Sequence, residues 1–150
     1  MSLGDLLKNP VLIGGLLAWL SAQALKPPLE YLRSGEWKWH VVLSAGGMPS
    51  SHSALIVSVT HGIGLFVGFD SPLFALSLAI AMIVIYDAAG VRREAGKHAE
   101  RINFLFDELL KGHVWSEEEL REVIGHTPME VIGGVLLGLA IATANWMWWI

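Results

Sequence analysis

Cysteine is absent from this 150-residue chain. Disulfides and thiolate zinc sites are therefore excluded, while the redox compartment stays open. Charge is also scarce: 16% of the residues are Asp, Glu, Lys or Arg, against about 25% in ordinary soluble domains. The net charge is −4, and no basic stripe runs along any segment. That speaks against a nucleic-acid partner. The start of the chain lacks a basic run ahead of its first apolar stretch, so no cleavable signal peptide is expected. No internal repeat, low-complexity tract or linker divides the sequence, and residues 1–150 read as a single domain.

What is present is apolar. Hydrophobic residues make up 53% of the chain, and its mean hydropathy is +0.52. Sixteen glycines and seven tryptophans fit a small helical membrane protein, since Gly lets helices approach closely. Four charge-poor stretches stand out, at 9–25, 54–69, 71–90 and 131–150. A membrane span needs about 20 apolar residues, within a range of about 17–25, so the first two are short or tilted. The expected fold is all-α: a small polytopic membrane bundle of about four transmembrane helices, with a helical loop between the third and fourth. A soluble bundle of very apolar helices is the competing architecture. Trp146, Trp148 and Trp149 read as an interfacial aromatic belt, and Trp37 and Trp39 as anchors for the first loop. In the long loop, Val91, Ala95, Ile102, Leu105, Phe106 and Leu109 recur at helical spacing. Gly112 reads as its stop, and Ser116 with Glu119 as the capping box of a short acidic helix ending at Gly125.

Each stretch carries a polar cluster at one end. The clusters are Lys26 to Arg33, GGMPSSHSA (46–54), YDAAGVRR (86–93) and IGHTPME (124–130). A chain crossing a membrane four times alternates its ends, which puts all four clusters on one face. Lys26, Arg33, Lys38, Arg92, Arg93, Lys97, Arg101, Lys111 and Arg121 are expected in loops on that face, with Lys8 on the other. The positive-inside tendency then places the face in the cytoplasm and both termini outside.

Each cluster has a bland and a chemical reading. His126 and Glu130 are four apart, so on a helix they share a face. A carboxylate bonded to one imidazole nitrogen leaves the other oriented as nucleophile or base. Equally, Thr127, Pro128 and Glu130 make a good capping box for the fourth span. The two readings are compatible, because a helix N-terminus also attracts anions. GGMPSSHSA offers hydroxyls, backbone N–H groups and His52 at a helix start, suited to phosphate oxygens, or an ordinary Ser-capped start. Asp87 with Arg92 and Arg93 is either a structural ion pair or part of an anion site. Lys26 and Arg33 read as snorkelling cations or as phosphate ligands. Asp87, or Glu94 with His98, could also be read as metal ligands, though that spacing fits a solvated helix face as well.

Taken together the clusters resemble a family. Type 2 phosphatidic acid phosphatases, related to bacterial acid phosphatases and vanadium-dependent haloperoxidases, carry K-x6-R-P, P-S-G-H and S-R-x5-H-x3-D. Lys26 and Arg33 match the first spacing, Pro49-Ser50-Ser51-His52 resembles the second, and His126 with Glu130 resembles the end of the third. The order matches too, and the similarity is to a divergent branch along nearly the whole chain. There are departures: Ser51 stands for the motif glycine, Ser34 for the proline, and Leu120 for the arginine, with Arg121 one residue off.

The resemblance implies a membrane phosphatase acting on a lipid phosphate or an isoprenoid diphosphate. His126 would be the nucleophile, Glu130 its orienting carboxylate and His52 the acid for the leaving oxygen. Lys26, Arg33, Ser50 and backbone N–H groups near Ser51 would hold the phosphoryl oxygens, with Arg92 or Arg93 supplying the missing arginine charge. Thr127 and Asp87 would support the site. No metal or other cofactor is required by that scheme. Membrane lipids and the substrate are the expected partners, and the loss of two helices from the family's usual six would leave a surface suited to a homodimer. The rivals are a protein that binds or translocates a lipid phosphate without hydrolysis, and a structural membrane protein.

Overall fold

The computed structural model describes residues 3–6, 8–44, 46–109 and 126–150, with side chains for all of these but 3, 5, 43, 91–95, 100 and 107–109. The described residues are helical and contain no strand. A one-turn helix α1 (Leu3–Leu6) precedes α2 (Pro10–Ser34), a 3-10 turn (Trp39–Leu43), α3 (Ser51–Val67) and α4 (Pro72–Tyr86). A π turn (Asp87–Val91) then leads into α5 (Arg92–Leu109), and α6 (Pro128–Trp149) closes the chain.

Four of the long helices, α2, α3, α4 and α6, start on a side-chain cap. Asn9, Ser50, Ser71 and Thr127 accept from the backbone N–H groups of Leu12, Ser53, Phe74 and Glu130. Prolines follow at the first helical position of α2, α4 and α6, where a missing N–H costs nothing. Gly35 stops α2 in the left-handed conformation (φ 73°), with its N–H returned to the Tyr31 carbonyl. The capping box expected at Thr127 and Glu130 is present.

The first apolar stretch ends at Leu25, but α2 does not. It runs on through Pro27 and Pro28 to Ser34. Lys26 and Arg33, expected in a loop, therefore sit on helix. The prolines bring no N–H to the carbonyls four residues back, yet their fixed φ is helical, so the helix survives. Lys26, Glu30 and Arg33 then fall at i, i+4 and i+7, on one face. The long loop begins as the expected helix, α5; its further features at Gly112, Ser116, Glu119 and Gly125 lie outside the described residues.

The interior is built from small residues. Ala18, Ala22 and Ala54 are fully buried where α2 crosses α3. Gly134, Gly138 and Ala142, spaced one turn apart, bury against α3. A Cβ on Gly138 would lie 2.6 Å from the Ala54 carbonyl oxygen, and one on Gly134 would collide with the Ser50 carbonyl. Such close backbone approach is how helices pack when lipid removes the usual hydrophobic drive between them. The largest fully buried side chains are Lys26 and His126, whereas Leu, Ile, Met, Phe and Trp side chains crowd the exposed surface. Among the described residues two helical segments, Pro72–Gly90 and Pro128–Trp149, are long and apolar enough to cross a membrane, with mean hydropathies of 2.0 and 1.6. The shorter α3 is also apolar.

Cross-helix polar bonds set the vertical register. At one end Asn145 Nδ2 donates to the Pro10 carbonyl (2.9 Å), joining the end of α6 to the start of α2. At the other end the Ser50 N–H donates to the Glu130 carbonyl (2.9 Å) and the His126 N–H to the Ala88 carbonyl (3.1 Å).

The glycine packing separates two neighbours. A Cβ on Gly133 comes closest to the flexible tip of Met48, at 3.3 Å, and makes ordinary contact with Pro49. Gly133→Ala should leave stability unchanged or raise it by up to about 1 kcal/mol through helix propensity. Gly134→Ala must displace backbone and should cost about 1–3 kcal/mol. Thermal unfolding of both variants in detergent checks this; equal effects would refute the packing account.

Candidate functional site

The site is assembled at the end of the bundle where α2 leaves, α3 begins, the π turn lies and α6 begins. Its centre is the start of α6. Glu130, at the third helical position, directs Oε2 at two donors, the Thr127 N–H (3.2 Å) and Nδ1 of His126 (3.0 Å). The same carboxylate therefore closes the capping box and orients the imidazole. A carboxylate can only accept, so the His126 proton belongs on Nδ1 and the lone pair on Nε2. His126 is 2% exposed, and its Nε2 is buried with no hydrogen-bond partner among the described residues. Buried polar atoms are nearly always paired, so this nitrogen is a candidate position for a ligand atom. Gln23 Oε1 and Ser58 Oγ share that condition, but neither is a strong nucleophile.

The His126 backbone is held as firmly as its ring. Its N–H reaches the carbonyl of Ala88, a buried residue in the π turn. The Asp87–Arg93 cluster thus meets His126 through a main-chain oxygen that the sequence did not single out. Asp87 opens that turn and is half-buried. Arg92 and Arg93 open α5, and their side chains lie outside those described, as do Leu120 and Arg121 entirely.

The first motif forms the facing wall. Lys26 is 1% exposed, and its Nζ donates to the Ser44 carbonyl at 2.7 Å. Lys26 and Arg33 line a cavity of about 360 Å³ together with Glu30, Gly47, Met48, Thr127 and Glu130. Gly47 sits at φ 92°, a conformation that favours glycine, and so lets the loop bend over Lys26. The structure therefore brings both cations of the first motif and the carboxylate of the third to one cavity.

The second motif joins from α3. The His52 and His126 rings lie edge-on, with centroids 6.1 Å apart. Ser50 and Ser51 are buried at the helix start. The Ser50 hydroxyl is committed to the helix cap, accepting from the Ser53 N–H (3.3 Å) and the Ser53 hydroxyl (3.1 Å). Its bland reading is what the geometry displays. Among the described residues, no three His, Asp or Glu side chains cluster to hold a metal ion.

Three participants escape sequence reasoning: the Ser44 carbonyl, the Ala88 carbonyl and Glu30. The carbonyls carry no side-chain signal. Glu30 had one, its i, i+4, i+7 register with Lys26 and Arg33, but the double proline masked the helix.

The bundle sets two cations and a carboxylate on one cavity, and that carboxylate orients a buried histidine whose ring neighbours a second one. The chain belongs to the divergent PAP2 family, the branch its motif spacing resembles, with the family matching residues 7–141. It is similar to the uncharacterized membrane protein YuiD of Bacillus subtilis, 38% identical over 148 residues, covering 91% of this chain and 94% of that protein. No solved structure matches it significantly.

Burial makes Lys26 informative. A buried ammonium with one carbonyl partner carries a desolvation cost of several kcal/mol, while its charged hydrogen bond returns about 1.5–3 kcal/mol. Lys26→Met should therefore leave the unfolding temperature unchanged or raise it. A loss beyond about 2 kcal/mol would make Lys26 a structural strut.

Proposed function

We propose that this chain is an integral membrane phosphatase that hydrolyses a lipid phosphate or diphosphate through a phosphohistidine intermediate. The observation that carries this reading is the buried Nε2 of His126, without a partner among the described residues, with Glu130 on the other nitrogen and Lys26 and Arg33 lining a cavity that Glu130 shares. Phosphoryl transfer needs an in-line nucleophile and positive charge around the equatorial oxygens, and these residues supply both.

In the first step the Nε2 lone pair attacks phosphorus. The bond to the leaving oxygen breaks, and that oxygen takes a proton from His52. Glu130 stabilises the positive charge that develops on the His126 ring. In the second step water attacks the phosphohistidine, His52 recovers a proton from it, and phosphate leaves with His126 neutral again. Lys26, Arg33 and the N–H groups at the start of α3 hold the phosphoryl oxygens throughout.

The membrane arrangement belongs to the same proposal. The apolar parts of α2, α3, α4 and α6 are four spans, their large apolar side chains facing lipid and their small residues facing each other. The site lies at the cytoplasmic face, where the basic residues concentrate, with both termini outside. An apolar tail remains in the bilayer while its phosphate enters the cavity.

A second reading, binding or translocation of a lipid phosphate without hydrolysis, has one observation in its favour. The Lys26 ammonium already commits one of its N–H donors to the Ser44 carbonyl, leaving fewer donors for a transition state.

Phosphate release by purified protein from phosphatidic acid and from an isoprenoid diphosphate separates the two. Hydrolysis should fall at least about 10³-fold in His126→Ala, with a bell-shaped pH profile in the native protein, because His126 must be neutral and His52 protonated. No release by folded native protein that still binds lipid phosphate would favour the second reading. The absence of cysteine makes topology testable as well. Glu36→Cys should label only from the cytoplasm and Asp70→Cys only from outside; labelling from a common side would overturn the four-span arrangement.

A further inference from the structure

Between the two cations of the first motif stands a carboxylate with no place in that mechanism. Glu30 lines the same cavity as Lys26 and Arg33 and lies between them on the same face of α2. Burial falls along this face: Lys26 is fully buried, Glu30 half-buried and Arg33 exposed. Lys26 thus marks the deep part of the cavity and Arg33 its rim, with Glu30 between.

Lys38, in the turn after α2, is the counter-charge to Glu30, but an incomplete one. Its Nζ is 3.9 Å from Glu30 and closer, at 3.2 Å, to Glu36. The ammonium is shared between two carboxylates, so Glu30 keeps much of its negative field. Volume does not limit the occupant, since about 360 Å³ falls within the range of pockets that hold whole small ligands. Charge does. A phosphoryl group beside Lys26 meets an ammonium whose neighbouring carboxylate, Glu130, is taken up by the Thr127 N–H and the His126 ring. A second phosphoryl group between it and an apolar tail would lie at the level of Glu30, where one carboxylate cancels Arg33.

We propose that Glu30 is a specificity-determining residue that admits a single phosphoryl group and rejects a diphosphate. This rests on the phosphate-binding part of the function proposed above and not on hydrolysis. A monoester presents neutral carbon or hydroxyl groups at that level, and a hydroxyl can donate to the carboxylate. A diphosphate presents further negative charge to it, and like charges brought close in a partly buried site repel strongly.

The test uses the full chain in detergent, with inorganic phosphate and inorganic pyrophosphate as probes and Kd read by calorimetry. Glu30→Gln should tighten pyrophosphate binding at least about tenfold while shifting phosphate by less than about threefold. Lys38→Met, at a half-buried position, should act in the opposite direction and weaken pyrophosphate selectively, because it removes the partial counter-charge. An unchanged ratio of the two affinities in both variants would overturn the proposal, as would the absence of binding of either anion. Phosphate release is scored separately: native protein that binds with the expected selectivity yet releases nothing would refute the phosphatase reading and support this one.

Discussion

One carboxylate organises the site. Glu130 Oε2 accepts from the Thr127 backbone and from His126, so the start of α6 and the orientation of the imidazole depend on the same atom. Its own carbonyl receives the Ser50 N–H, which fixes where α3 begins relative to α6. The start of α3 carries His52, so the position of the second histidine also traces back to this helix turn. A group that caps a helix cannot drift without unravelling the turn, and this makes a cap a rigid platform for chemistry.

The bundle around it inverts the usual distribution of residues. Small side chains and a few polar ones fill the interior, while large apolar ones face outward. In water that arrangement would waste the hydrophobic drive. In lipid it costs nothing, since the surroundings are as apolar as leucine, and close glycine and alanine contacts supply the packing. The same tight contacts transmit position: Gly134 lies against the residue that caps α3, so helix packing and site geometry are coupled through backbone rather than through side chains.

Several features were legible in the residues themselves. Apolar stretches gave helices, the hydroxyl-rich segment before α3 gave a Ser cap, and the spacing of Thr127, Pro128 and Glu130 gave both a capping box and a histidine–carboxylate pair. Motif spacing pointed to the family. Less legible was α2, whose double proline reads as an end although its φ preference is compatible with helix; the reading lost Glu30 with it. The π turn was also hidden, because Ala88, Ala89 and Gly90 signal only close packing.

The sequence by itself determined which segments are apolar, where helices start, and which residue types stand ready for phosphate chemistry, because these depend on local composition and short-range spacing. Only the tertiary structure decided what meets what: that Lys26 is buried against the Ser44 carbonyl, that Ala88 holds the backbone of His126, and that Nε2 of His126 is buried without a partner among the described residues. Those outcomes depend on distant main-chain atoms brought together by packing, and a carbonyl oxygen is the same in every residue, so no letter of the sequence announces it.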